Sequence, residues 1–374
     1  MQYVRMPIEV ESPEEFGYDK IRYNLSESSV RDRSLSELGI ELGDMVLFYG
    51  EHMGHKGLME LIAQASSGPA GAAEPADVLV TAGAAQALFI IATTLLEKGD
   101  HLVVVRPNYA TNIFTPRAIG ADISYVELTF EDGWRIDVDK LMALTRPETK
   151  YVSITVPHNP TGQMMDEAEL RRLIEIVEMR GCRLLVDETY REMTFGDVLP
   201  CAATLSDRAI SVSSLSKTYG IPGIRTGWLI CRDRELMETF LGAKEQIGIC
   251  GSVVDEEIAY QALRQRDAWL PEIHGRIREA LALTRDWMVG EELMEWVEPK
   301  GGVVSFPRIK LDVPVDVDAF YRTLTQEFGT YVGPGHWFEQ SRRHFRLGFG
   351  WPTLDELRGG LAGISGALRA SLMG

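Results

Sequence analysis

From residue 76 onward the chain repeats one pattern: a short apolar run, a segment of helical periodicity, then another apolar run. The runs at 77–81, 101–106, 122–128, 150–156, 182–187, 209–214 and 226–231 are rich in Val, Leu and Ile, and helical spacing marks 84–96, 141–145 and 166–180. Strands this continuously apolar must be covered on both faces. A helix between successive strands carries the chain back so that the next strand runs parallel. The pattern predicts an α/β fold, a mostly parallel sheet sandwiched by helices. Ligands of such sheets sit outside the carboxyl ends of the strands, so the residues that follow each run are the ones to read.

The run 209–214 leads into Leu215-Ser216-Lys217, with Arg225 further on and Thr226-Gly227-Trp228 entering the next run. A lysine among short hydroxyl residues can lose its proton and act as an amine nucleophile or a Schiff-base partner. Ser214, Ser216 and Arg225 are suited to hold an anion beside it. After the run 77–81, the small residues Gly83, Ala84 and Ala85 leave backbone amides free for a phosphate; a plain strand–helix turn is the alternative. Tyr109, after Pro107, is either a core aromatic or a face on which a flat ring can stack. Prolines 157 and 160 and Gly162 fix the loop that aims Asn159. Asp187 ends a buried run, where a carboxylate needs a partner; the alternative is a helix cap. Tyr190 follows it. In the apolar strand 345–349, Arg346 needs a carboxylate, either a substrate's or that of a structural ion pair; Arg342 and Arg343 precede it.

The stretch Ser214-Leu215-Ser216-Lys217-Thr218-Tyr219-Gly220-Ile221-Pro222-Gly223-Ile224-Arg225-Thr226-Gly227-Trp228 resembles the lysine motif of the class I/II aminotransferases. These are pyridoxal 5'-phosphate (PLP) enzymes of fold type I, similar to aspartate aminotransferase. The matching motifs run in the family's order along nearly the whole chain. The resemblance implies that Lys217 binds the cofactor aldehyde and shuttles the substrate's α-proton, and that Asp187 pairs with the pyridine nitrogen. Asn159 and Tyr190 would bond the phenolic oxygen, and Tyr109 would cover the ring. Gly83, Ala84, Ala85, Ser214, Ser216 and Arg225 would hold the phosphate, although Ala85 stands where the family often has a hydroxyl. Arg346 and Asn159 would face an amino acid and a 2-oxo acid in turn.

The resemblance further implies a homodimer with shared active sites and a tyrosine reaching the partner's phosphate. Tyr49 and His52 both qualify, one by residue type and the other by its spacing from Gly57. Glu27 departs from the family's small or apolar early loop. Facing the site, it would favour a cationic substrate side chain such as that of arginine or ornithine; otherwise it is a solvated surface glutamate. The same scaffold also supports elimination, or cyclisation of a basic, hydroxylated amino acid such as an arginine derivative. A sensor domain of a transcription regulator would need a basic DNA-binding segment, and the sequence contains none.

Residues 1–45 are expected to join the small domain, 46–280 to form the large cofactor-binding domain, and 281–374 to form a smaller α+β domain. A net charge of -17 argues against nucleic-acid partners. The start lacks the apolar core of a signal peptide, and no run reaches the roughly 20 apolar residues that span a bilayer. The four cysteines have no metal-type spacing and read as free thiols in a reducing cytoplasm. His52 and His55 lack a third metal ligand.

Overall fold

A computed structural model describes residues 1–373. A short strand, β1 (Tyr23–Asn24), precedes β2 (Val78–Ala82), β3 (His101–Arg106), β4 (Asp122–Glu127), β5 (Thr149–Thr155), β6 (Arg183–Asp187), β7 (Ala209–Ser214) and β8 (Thr226–Cys231). The last seven form one sheet in the order β2-β8-β7-β6-β5-β3-β4. Alternate residues of each strand face opposite layers. Leu102 and Val104 pack with the helix Gly83–Leu95, whereas Val103 and Val105 pack with Leu173 and Val177 of the helix Glu167–Arg180. Each such side chain, fully buried, contributes about 1.5–3 kcal/mol.

All neighbouring pairs are parallel except those made by β8, which runs antiparallel to β2 and β7. No crossover helix separates β7 from β8, so the chain re-enters the sheet in the opposite direction. Ser214 therefore lies opposite Gly227, and Ala82 opposite Thr226. The lysine loop, the arginine turn and the start of the helix Gly83–Leu95 meet at one edge.

Several elements differ from expectation. A helix at Thr111–Ile119 was not foreseen, because its Thr, Asn and Pro116 blur any apolar period. The stretch 31–42 holds one helical turn, Leu35–Leu38, closed by the left-handed Gly39. An antiparallel strand pair brackets Gly301-Gly302, Met294–Glu295 with Arg308–Ile309, but it is only two residues a side, and Val304–Ser305 pairs elsewhere, with the strand Phe345–Gly348.

The helix Arg266–Gly290 runs through position 280, and its Ile273, Ile277 and Leu281 already pack with the C-terminal core. The N-terminal segment divides among three cores. Leu25 and Val30 join the C-terminal one, Ile8 packs with Trp337 and Phe338, and Leu38 and Ile40 pack on β2 and β8. Among the described residues no helix is long and apolar enough to cross a membrane.

Candidate active site

A cleft of about 540 Å³ opens at the carboxyl ends of the parallel strands. Its lining includes Glu27, Ala84, Ala85, Tyr109, Asn159, Asp187, Tyr190, Ser214, Ser216, Lys217, Arg225 and Arg346. Twelve residues singled out from sequence thus face one space. Lys217 follows β7 on a loop clipped to the N-terminal segment, where the Val30 amide donates to the Lys217 carbonyl at 3.0 Å. At Gly220 (φ +63°) a Cβ would come within 2.2 Å of the Arg31 carbonyl, so only glycine permits this approach. The Lys217 ammonium is half-buried. Loss of hydration pushes its pKa below the ordinary lysine value, and Arg346 and Arg225 push it further, against the pull of Glu27 and Glu9. A lowered pKa supplies the free amine that a nucleophile needs.

Asp187 ends β6 and is buried. One of its oxygens, Oδ1, accepts from the Thr189 hydroxyl at 2.6 Å and the Thr189 amide at 3.1 Å. Burial raises its pKa, and the Thr189 bonds partly offset this. Thr189, which the sequence reading passed over, therefore fixes the carboxylate's orientation. His158 ties the Asn159 loop to the Tyr109 loop through Thr161 Oγ1 at 2.7 Å and the Pro107 carbonyl at 3.0 Å. Burial pushes His158 down to about 4, so it is neutral.

Arg346 is buried on the strand Phe345–Gly348. Its Nη2 donates to the Ser26 carbonyl at 2.6 Å and its Nη1 to Asn159 Oδ1 at 3.3 Å, whereas Nε has no partner. Its guanidinium lies 5.2 Å from the centre of the Phe338 ring. A buried, incompletely bonded guanidinium in a cleft calls for an anion. The helix Gly83–Leu95 begins without a side-chain cap, and Ala84 and Ala85 of its first turn line the cleft. The adjacent Arg225 is held in a left-handed turn with its Nη1 donating to the Pro222 carbonyl at 2.9 Å. At Gly83 a Cβ would lie 2.6 Å from Arg225 Nη2. The free amides, Arg225, Ser214 and Ser216 make one cradle for an anion.

The family model for aminotransferase class I and II matches residues 24–361. The chain belongs to the class I and II aminotransferases. It is 28% identical to capreomycidine synthase of Streptomyces vinaceus over 361 residues, which cover 93% of this chain and 90% of the relative. A crystal structure of a PLP-dependent aminotransferase from Streptococcus suis 89-1591 is 30% identical, covers all of both chains and superposes with a TM-score of 0.90. The crystal structure of the PLP-dependent cyclase OrfR is also 30% identical, covers 99% of this chain and 98% of its own, and has a TM-score of 0.88. The fold is therefore fold type I, and the cofactor of this aminotransferase-family enzyme is PLP. The residues present fit that group. The uncapped helix start with Arg225 suits a phosphate, and the buried Asp187 suits a protonated ring nitrogen.

Two candidates stand apart in this PLP enzyme. Tyr49 is 78% exposed, and the His52 ring is bonded to Glu245 at 2.5 Å; neither lines the cleft of its own chain. Glu27 is half-buried and lines the cleft, so it is not a free surface glutamate. Sequence reasoning also missed Glu9 and Tyr18, which the N-terminal segment brings to the rim. Neither lies near a strand end or in any motif, so only the folded chain reveals them.

Proposed function

We propose that this enzyme is an aminotransferase that moves an amino group between an L-amino acid and a 2-oxo acid. The supporting observation is the meeting in one cleft of a half-buried lysine with a lowered pKa, a buried carboxylate and a buried arginine with a free Nε. When bound, PLP supplies an aldehyde that takes the amino group and a conjugated ring that accepts the electrons released at the α-carbon. Lys217 would hold it covalently, and Asp187 would keep a proton on its ring nitrogen. Arg346 would fix the substrate carboxylate, and the freed Lys217 Nζ would remove the α-proton and deliver it to the carbon that entered as the PLP aldehyde, two atoms along. Tyr190, whose pKa burial raises to about 12, stays a hydrogen-bond donor at neutral pH.

We also propose a homodimer. The consecutive residues Val46, Leu47, Phe48 and Tyr49 are 65–78% exposed, an apolar run that a second copy would cover. Tyr49 or His52 would then reach the partner's phosphate cradle.

A second reading, elimination or cyclisation, is supported by the near full-length likeness to capreomycidine synthase and the cyclase OrfR. Single-turnover chemistry separates the two. Aminotransfer bleaches the cofactor's visible absorbance and releases one equivalent of 2-oxo acid per site. Elimination or cyclisation leaves the absorbance restored after each turnover and needs no oxo acid acceptor.

A further inference from the structure

The N-terminal segment contributes Glu9, Glu14, Tyr18, Glu27 and Asp32 to the lining of the cleft. Asp32 is engaged, accepting from the Trp351 indole at 2.9 Å, and Glu14 is exposed. Glu9 and Glu27 differ from both. Each is half-buried, and among the described residues neither forms an ion pair. The Glu9 carboxylate has no hydrogen-bond donor among those residues. Glu27 Oε1 has only two long contacts, from Tyr18 and from Asn24, both at 3.4 Å. Contacts that long are weak. Elsewhere this chain pairs its half-buried acids closely, as Glu356 with Arg31 at 2.5 Å and Glu192 with Arg266 at 2.5 Å.

The Glu27 backbone also stands in a fixed relation to Arg346. Arg346 Nη2 donates to the carbonyl of Ser26, the residue before Glu27. The Gly348 amide donates to the Leu25 carbonyl at 2.7 Å, and a Cβ on Gly348 would lie 1.8 Å from the Glu27 carbonyl. The backbone of Glu27 is thus seated on the strand that carries Arg346. A substrate whose carboxylate meets the free Nε of Arg346 and whose amine reaches Lys217 has its side chain left to meet the rim. Two unpaired carboxylates there repel an anionic side chain and leave a neutral one with nothing to offset their lost hydration.

We propose that the cleft selects α-amino acids with a cationic side chain, a guanidinium or an ammonium, received between Glu9 and Glu27. This deepens the functional reading above and rests on it, because it takes Arg346 and Lys217 as the anchors of the α-carboxylate and α-amine.

The test uses the PLP-loaded enzyme and isosteric pairs that differ in charge: L-arginine against L-citrulline, and L-ornithine against L-norleucine. Rapid-mixing traces at the cofactor's visible absorbance should favour the cationic member of at least one pair by about 30-fold or more in rate over half-saturation, as for a charge lost from a partly buried pair. E9Q and E27Q should each lower that preference by about 10-fold, through half-saturation, while the neutral isostere changes by less than about 2-fold. Calorimetric binding to K217A, which reads affinity without chemistry, should show the same ranking. Equal use of charged and neutral isosteres, or a cation preference that survives both substitutions, overturns the inference and leaves the functional reading standing. A loaded wild type that responds to no amino acid overturns both.

Discussion

On the floor of the cleft, Asp187, Asn159 and Lys217 each lie within a few residues of a strand end, and Asp187 is held by contacts as short as 2.6 Å. On the rim, Glu9 and Glu27 ride on N-terminal turns and have long contacts or none. The floor holds its buried carboxylate in a preorganised position through the neighbouring Thr189. The rim is under-satisfied. Preorganised groups suit chemistry common to every substrate, and unsatisfied ones suit discrimination. Arg346 joins the two regions, bonded to Asn159 on one side and to the Ser26 carbonyl on the other.

The comparison breaks most readily at Lys217. K217A should lower turnover by about 10⁴-fold with every amino acid, charged or neutral, because it removes the nucleophile and proton carrier together. A variant that keeps rapid steady-state turnover would show that the floor is not the catalytic part. The next largest effect is at Arg346. R346A should raise the half-saturating concentration of any amino acid by about 100-fold, since a hydrogen bond to a charged group is worth about 1.5–3 kcal/mol. R346K should recover only part of this, because an ammonium lacks the guanidinium fork.

The floor also carries a pH signature. His158, and His344 outside the cleft against Trp134 and Phe306, are held near 4 by burial, against about 6.5 in the unfolded chain. Both forms are neutral above 6.5. As pH falls from 6.5 towards 4, the unfolded chain takes up protons that the folded one refuses, so stability falls across that window. Each histidine accounts for up to about 3 kcal/mol. Denaturant titrations between pH 4 and 7 should show the loss, and H158Q should flatten part of it. An unchanged slope in H158Q would mean that the loop joining Asn159 to Tyr109 is less tightly buried than described.

The smallest effect sharpens the rim. G348A forces the Glu27 backbone away from its seat and should cost about 1–3 kcal/mol of stability, read as a lower melting temperature. Its loss of preference for cationic over neutral isosteres should exceed its loss of turnover with the neutral ones. Equal losses would assign Gly348 to the floor.

The floor was legible in the sequence because each of its residues follows an apolar run that only a buried strand explains, and strand ends are where such sheets bind ligands. Position after a run marked Lys217, Asp187, Asn159, Tyr109 and Arg225 as candidates, the family resemblance supplied their roles, and the alternation of runs and helices gave the sheet. The rim was not legible. Glu9 reaches the cleft only because Ile8 packs against Trp337 and Phe338, far away in the chain, and no local pattern encodes that contact. Glu27 could be named but not placed, since its seat depends on Gly348. The helix Thr111–Ile119 escaped for a different reason: its capping and β-branched residues hide its period, and tertiary contact at Ile113 holds it in place.

The proposed function turns on one covalent bond between Lys217 Nζ and the PLP aldehyde. Hydride reduction of the loaded enzyme, followed by peptide mass mapping, tests it directly. The expected result is one stable pyridoxyl adduct per chain, on Lys217, with the visible absorbance lost in proportion. An adduct on another lysine, or a fully loaded protein that reduction leaves unlabelled, would contradict it.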